Sequence, residues 1–265
     1  MKQSSVVAIL ITMSLLLVGV DAQSQKKLSC KKKTPCADTL EECPREGCSA
    51  NDTHDPQLNR LKNLKSSNKP VEDRTITQII RLEKKVENSG YRQGHPRTVL
   101  TNLGEGLQIR VIGYLLAAKQ ECGESCNCGL SDVDVTTDNH LVLVNPKVVT
   151  DNPLPEKATA KQIKTVFQVR EPLSMTAEFT PRVRADGHPN FTSDVQKLIN
   201  KTPQGALWVR VTGQLFFDSE HFHKKPLKRK TSWEIHPILK FEYCSKGKTC
   251  PKSGDDNWID LDEQP

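Results

Sequence analysis

Aromatic residues are scarce in this 265-residue chain, in which Phe, Tyr and Trp together make up 5%. So small a set argues against a wide platform for stacking the bases of single-stranded nucleic acid. Long apolar runs are equally scarce, because residues 6–20 form the one extended run, of about 15 residues. That run is short of the roughly 20 residues that span a bilayer.

Lys2 precedes this apolar run and the small residues of VDA (20–22) follow it, which is the pattern of a secretory signal peptide. We predict cleavage after Ala22 and a mature chain that is secreted, or periplasmic in a Gram-negative host, without a membrane segment. A short membrane anchor is the alternative. In a host that glycosylates exported proteins, three N-x-[ST] sequons predict a glycoprotein, at Asn51, Asn190 and Asn200.

The chain also lacks the short signatures of common enzyme classes. It contains no G-x-S-x-G, no Walker loop, no G-x-G-x-x-G and no H-E-x-x-H. These absences favour a binding or interaction module over an enzyme, and we predict no organic cofactor.

All nine cysteines lie in the predicted mature chain, where an exported protein would use them as a disulfide framework. Three pairs have five intervening residues and could form local staples, although spacing does not fix connectivity: Cys30/Cys36, Cys122/Cys128 and Cys244/Cys250. Cys43 and Cys48 complete the eight disulfide candidates. Because nine is an odd number, one thiol is free or pairs with another chain. Crowding in CGESCNC suggests a structural role for Cys126. A zinc site is the alternative, but two spaced C-x-x-C halves are absent.

The net charge is +6 and stays so when Lys2 and Asp21 leave with the signal peptide. The densest basic run is KKPLKRK (224–230). It could bind a polyanion, or it could be a solvated loop.

Four segments alternate polar and apolar residues with period two, as half-buried strands do: 106–121, 173–183, 206–218 and 231–243. A fifth segment, 140–144, is a short apolar strand. The alternation places Ala117 and Leu239 among the inward residues. A helix over 191–201 falls between the third and fourth strands. This order predicts a mainly β, five-stranded OB-like Greek-key barrel, with a β-sandwich as the alternative.

Two further helices are predicted before the barrel. Asp55 and Pro56 begin one short helix, and Thr75 or Thr77 begins a longer one that ends at Gly90. The predicted organisation is a signal peptide (1–22), a partly disordered Cys-bearing polar segment (23–74), a helix and linker (75–103), the barrel (104–244) and a tail (245–265).

Several imidazole and carboxylate groups fall on the polar side of the predicted strands or at their ends. The candidate set comprises Asp138, His140, Glu178, Asp218, His221 and His236. These residue types could hold a divalent metal that activates water for hydrolysis of phosphodiesters or other esters. The alternative is a polar network in which each group satisfies its neighbours. His223 is predicted to be solvated.

A second outward set could form a ligand-binding face, because OB barrels bind oligonucleotides or oligosaccharides on such a wall. It comprises Arg110, Tyr114, Arg182, Trp208 and Arg210. The alternative is that Tyr114 and Trp208 pack beneath the N-terminal helix.

The segments DNHLVLV, FFDSEH and WEIHPILKFE, with AEFTPRV between the first two, resemble a family of exported, mostly bacterial proteins with an OB-like domain. The resemblance covers roughly residues 104–244 and implies a fold without an established activity. Together these observations predict an exported, disulfide-stabilised binding or interaction module, whose partner is an unidentified ligand or protein. A metal-dependent hydrolase is the alternative.

Overall fold

The computed structural model describes residues 34–50, 54–64, 69–132, 135–184, 191–222, 227–246, 250–251 and 254–263. Several predictions fall outside the described residues: the signal peptide, Cys30, His223, the sequons at Asn51 and Asn190, and residues 224–226 of the basic run. No helix among the described residues combines the length and the apolarity needed to cross a membrane.

Seven strands form the sheet: β1 (Glu72–Arg74), β2 (Gln108–Glu121), β3 (Asp138–Val144), β4 (Met175–Phe179), β5 (Leu207–Phe217), β6 (Trp233–Cys244) and β7 (Trp258–Asp260). Five of them follow the order β2-β3-β4-β6-β5, and pairing of β5 with β2 closes the barrel. Within the barrel, β4 and β6 are parallel and the other pairs are antiparallel. β1 and β7 add to the outside of β2 and β6. The predicted mainly β, OB-like barrel is therefore confirmed.

The described part of the chain contains seven α-helices beside the barrel: α1 (Pro56–Lys62), α2 (Ile76–Ser89), α3 (Thr98–Asn102), α4 (Pro146–Asp151), α5 (Ala160–Arg170), α6 (Pro181–Arg184) and α7 (Phe191–Asn200). Among the described residues, α6 and α7 lie between the third and fourth barrel strands, as predicted for the helix over 191–201. α4 and α5 lie between the second and third barrel strands and were not predicted. Their starts do carry local signals, because Asn145 and Thr159 cap them through their side chains.

The helix α2 begins at a capping box between Thr75 and Gln78 and ends at Gly90, which has a left-handed conformation. Its residues Ile76 and Ile79 are buried in the barrel core. The predicted bounds of this helix are thus confirmed by the residues that cap it.

The apolar core follows the predicted alternation except at the ends of the third barrel strand and at two β-bulges. The third strand is shorter than the predicted 173–183, because Leu173 lies in a 3₁₀ turn and is exposed, and Pro181–Arg184 forms α6. In β2, a register shift between Leu115 and Ala117 places Ala118 in the barrel core and turns Ala117 toward a smaller cluster. In β6, Ile238 is in the core and Leu239 is half-buried. The shift in β6 lies opposite Gly213, where a Cβ atom would come within 2.4 Å of the Pro237 carbonyl oxygen. The inward placement of Ala117 and Leu239 was therefore wrong, because a bulge changes which face the following residues occupy.

Three disulfides join Cys36 to Cys48, Cys43 to Cys128, and Cys244 to Cys250. Cys122 is disulfide-bonded as well, whereas Cys126 is free and buried. Among the three disulfides described here, Cys244–Cys250 alone has the short predicted spacing. The local staples Cys30/Cys36 and Cys122/Cys128 were wrong, because Cys36 and Cys128 bond to other partners. The Cys43–Cys128 disulfide spans 85 residues and so ties the N-terminal segment to the barrel.

The N-terminal segment covers the polar outer faces of β5 and β6. The Gln214 side-chain amide on β5 donates to the Leu61 carbonyl of α1 and to the His236 carbonyl of β6, each at 3.3 Å. Asn63, just after α1, donates to the Cys126 carbonyl at 3.0 Å. Strand residues that alternation places outside the core are therefore buried in a second, polar layer.

Gly47 allows this segment to approach the barrel closely. Its φ of +62° is left-handed, and an added Cβ atom would lie 2.1 Å from the Ser125 carbonyl oxygen. Only glycine accommodates both constraints without a shift of the backbone.

We expect Gly47→Ala to lower the free energy of unfolding by about 3 kcal/mol, because a clash adds to the roughly 1–2 kcal/mol of left-handed strain. Gly94→Ala is the matched control, since Gly94 has a φ of +83° with nothing within 4 Å of its added Cβ. Denaturant unfolding with intact disulfides measures both variants. Equal losses in the two variants would show that the close approach at Gly47 does not matter.

Candidate functional site

Four polar side chains meet on the outer face of neighbouring strands. The register pairs His140 of β3 with Glu178 of β4, and Glu234 and His236 follow on β6. The His140 Nε2 atom lies 2.9 Å from Glu178 Oε1, and the His236 Nδ1 atom lies 3.2 Å from Glu178 Oε2. One carboxylate thus joins two of the three imidazoles in the candidate set.

Arg229 extends this group toward the end of β5. Its guanidinium donates to Asp218 Oδ2 at 2.7 Å and contacts the Glu234 carboxylate. Asp218 Oδ2 in turn lies 2.5 Å from His221 Nδ1. The charge network is therefore continuous, and it comprises Glu121, His140, Glu178, His236, Glu234, Arg229, Asp218 and His221.

The two imidazoles that contact Glu178, half-buried His140 and buried His236, have opposite charge preferences. Burial disfavours the charged form of His140, but the charge of Glu178 and its hydrogen bond outweigh burial and raise the His140 pKa to about 10. Burial dominates at His236, which is fully enclosed, and lowers its pKa to about 4. At neutral pH the network therefore contains an imidazolium at His140 and a neutral imidazole at His236.

Asp138, at the start of β3, lies beside the network and is also fully buried. Its carboxylate accepts a hydrogen bond from the Asn127 side-chain amide at 2.8 Å, and the Cys126 thiol lies 3.6 Å away. Burial, with the charges of Glu124 and Glu178, raises the Asp138 pKa to about 7. Asp138, Glu178 and His236 each offer a ligand atom within 4.8 Å of the others, which is a spacing that could hold a metal ion.

The helix α1 places a cation, Lys62, close to the buried carboxylates. Lys62, at the last position of α1, is 7% exposed, and its Nζ atom lies 3.6 Å from Glu124 Oε2. Burial opposes its charge, but Glu124 and the other nearby carboxylates raise its pKa well above the ordinary value. Lys62 is thus a counter-ion that the N-terminal segment contributes to the barrel wall.

A cleft of about 370 Å³ opens above the network. Its lining includes His140, Glu178, Asp218 and His221 from the candidate set, together with residues that sequence reasoning missed: Lys62, Lys119, Glu121 and Arg229. A sequence signal existed for Arg229, which lies in the basic run. None existed for Lys62, because its position depends on how α1 is tethered.

The outward set predicted to bind a ligand does not form one open face. Arg110 pairs with Asp73 at 2.6 Å, and Arg182 donates to the Cys43 carbonyl. Arg210 is 1% exposed and pairs with Glu242 and Asp255.

Tyr114 and Trp208 contact each other edge to face, with 4.8 Å between ring centroids. They pack in a cluster with Trp258 and the Cys244–Cys250 disulfide. The aromatic pair therefore lies beneath the C-terminal strand β7, whereas the alternative had placed it beneath the N-terminal helix.

Comparison of the chain with protein-family models, with curated proteins and with solved structures finds no match in any of the three. The resemblance to exported OB-like proteins therefore stays a prediction.

We expect Asp218 to contribute stability that depends on pH. Burial would raise its pKa, but the His221 hydrogen bond and the Arg229 charge lower it below the usual range. A depressed carboxyl pKa stabilises the fold above the unfolded value of about 3.9, and the contribution is lost as pH falls below that value.

Asp218→Asn should therefore lower the free energy of unfolding by about 2–4 kcal/mol at pH 7, and by progressively less below pH 4. Denaturant unfolding across this pH range measures the difference. The matched control is Asp73→Asn, which removes a mostly exposed ion pair and should cost no more than about 1 kcal/mol. A pH-independent loss in Asp218→Asn would contradict the expected linkage.

Proposed function

We propose that the protein is an exported, disulfide-stabilised binding module whose ligand site is the cleft. Its disulfides are typical of proteins from an oxidising compartment. The signal-like residues 1–22 and the resemblance to exported OB-like proteins support export. A buried ionic network is weak evidence for stability alone, so its position at a cleft favours a functional role.

One observation carries the choice of ligand. Residues 227–229 of the basic run line the cleft, across from His140 and Glu178. Lys228 is exposed and has no ion-pair partner within the described part of the chain, whereas Arg229 is committed to Asp218 and Glu234. The Lys228 ammonium group in the cleft is therefore available to a ligand, whereas the neighbouring Arg229 guanidinium is already paired with carboxylates.

A small molecule with a phosphate-like anionic group fits these features. The volume of about 370 Å³ is within the range of sites for small ligands. Lys119 adds a second ammonium group at the lining, although Glu171 pairs with it at 2.6 Å. Lys228 and Lys119 would hold the anionic group, and the carboxylates of the lining would accept hydrogen bonds from its polar remainder.

Inorganic phosphate should bind to the purified protein with a dissociation constant of about 1 mM or tighter, as measured by calorimetry at low salt. Lys228→Gln should weaken this binding roughly tenfold, because the ammonium group is lost. Lys85→Gln is the control, since Lys85 lies on an exposed position of α2. Undetectable phosphate binding, or equal binding by the two variants, would refute the proposed ligand class.

A metal-dependent esterase is the second candidate, and one contact favours it. The buried Asp218 carboxylate orients His221, whose side chain is 51% exposed in the same cleft. A carboxylate that orients an accessible imidazole is the arrangement of a general base.

In this case the protein should hydrolyse bis(p-nitrophenyl) phosphate, a chelator should inhibit the reaction, and His221→Gln should lower the rate roughly 100-fold or more. His95→Gln is the matched control, because His95 contacts Tyr91 far along the chain from the network. The absence of chelator-sensitive turnover would exclude the esterase while leaving the binding module intact.

A further inference from the structure

Three side chains of types that ligate metals meet in the buried layer next to the cleft. Asp138 begins β3, Glu178 lies on β4 and His236 lies on β6, so three adjacent strands each supply one residue. All three are at most 3% exposed, and their ligand atoms lie within 4.8 Å of one another. Because strands rather than loops hold them, the three groups are fixed relative to one another.

A cation between Asp138 and Glu178 would reduce the repulsion between their buried carboxylates. Two buried carboxylates that face each other repel unless a proton or a metal ion lies between them. Asp138 contacts only neutral donors among the described residues, namely the Asn127 amide and the Cys126 thiol. Its charge therefore has no direct cationic partner there.

The neighbouring cations already serve other carboxylates. Arg229 pairs with Asp218 and Glu234, and Lys62 approaches Glu124. His140 pairs with Glu121 and with one oxygen of Glu178.

The two ring nitrogens of the third ligand, His236, which is 0% exposed, differ in their contacts. Nδ1 lies 3.2 Å from Glu178 Oε2 and is the atom placed to share an ion with that carboxylate. Nε2 has no hydrogen-bond partner among the described residues, and a buried polar atom without a partner carries an energetic cost.

We infer that Asp138, Glu178 and His236 form a site for one divalent transition metal of the zinc or manganese type. One imidazole with two carboxylates suits these ions, whereas magnesium prefers oxygen ligands and keeps several waters. The inference deepens the proposed function, because Glu178 also lines the cleft. Binding of the metal alone requires neither the phosphate ligand nor Lys228. The metal site and the proposed phosphate binding can therefore be refuted separately.

Cys126 is the nearest competing ligand. Its thiol forms a neighbouring group with Glu124 and Asp138, also within 4.8 Å. A site centred on that group would use the thiolate and would not need His236. Substitutions at Cys126 and at His236 therefore distinguish the two arrangements.

The experiment uses purified, disulfide-bonded protein that has been treated with chelator and dialysed against zinc or manganese chloride. Elemental analysis should find about one equivalent of metal, and Asp138→Asn, Glu178→Gln and His236→Gln should each weaken its binding roughly 100-fold or more. Asp73→Asn and His95→Gln are matched controls of the same chemical change and should bind as the unmodified protein does. Cys126→Ser should retain affinity within about threefold.

Variants in a buried layer can fail to fold, so the unmodified protein supplies a second measurement. The added metal should raise its thermal unfolding midpoint, because it binds the folded state alone. Lack of both stoichiometric metal and a midpoint shift in the unmodified protein would overturn the inference. Loss of binding in Cys126→Ser with retention in His236→Gln would overturn this ligand set in favour of the cysteine-centred one.

Discussion

The disulfide between Cys43 and Cys128 is the constraint on which the polar half of this structure depends. It joins residues 85 positions apart and holds the N-terminal segment against the outer faces of β5 and β6. An OB-like wall that would otherwise face water becomes an interior there. Gly47 permits the close approach of the N-terminal segment to the barrel. Lys62, at the end of α1, places a cation beside the carboxylates of this outer face.

Burial of that wall explains why similar side chains behave differently. His140 and His236 both contact Glu178, yet the His140 pKa rises to about 10 and the His236 pKa falls to about 4. The difference follows from the balance between desolvation and nearby charges, because carboxylates raise the His140 pKa whereas the cations Lys62 and His140 add to desolvation in lowering the His236 pKa. A layer with so many enclosed charges gains little stability over an apolar one, and its placement at a cleft is why we propose that the cleft binds a ligand.

The fold was largely predictable because period two and turn residues are local signals. Thr75 and Gly90 bound α2 as expected, and the five predicted segments became the five barrel strands. The errors at Ala117 and Leu239 come from bulges, whose positions depend on the partner strand. The structure brings together His140, Glu178 and His236 of the candidate set, which the sequence placed only on the polar side of the predicted strands. The exposed fraction of these side chains could not be predicted, because the N-terminal segment that covers them is held by a disulfide between distant cysteines.

Away from the bulges that displaced Ala117 and Leu239, the sequence by itself determined which strand residues face the apolar core and which face away from it, since alternation along a strand sets this locally. It also determined that the outward side of β3, β4 and β6 would carry imidazoles and carboxylates. Only the tertiary structure decided that these groups are buried, that Glu178 joins two of the histidines, and that Asp138 approaches them from the neighbouring strand. Such contacts form between residues far apart in the chain, where strand order and disulfide pairing set the distances and short-range patterns carry no information.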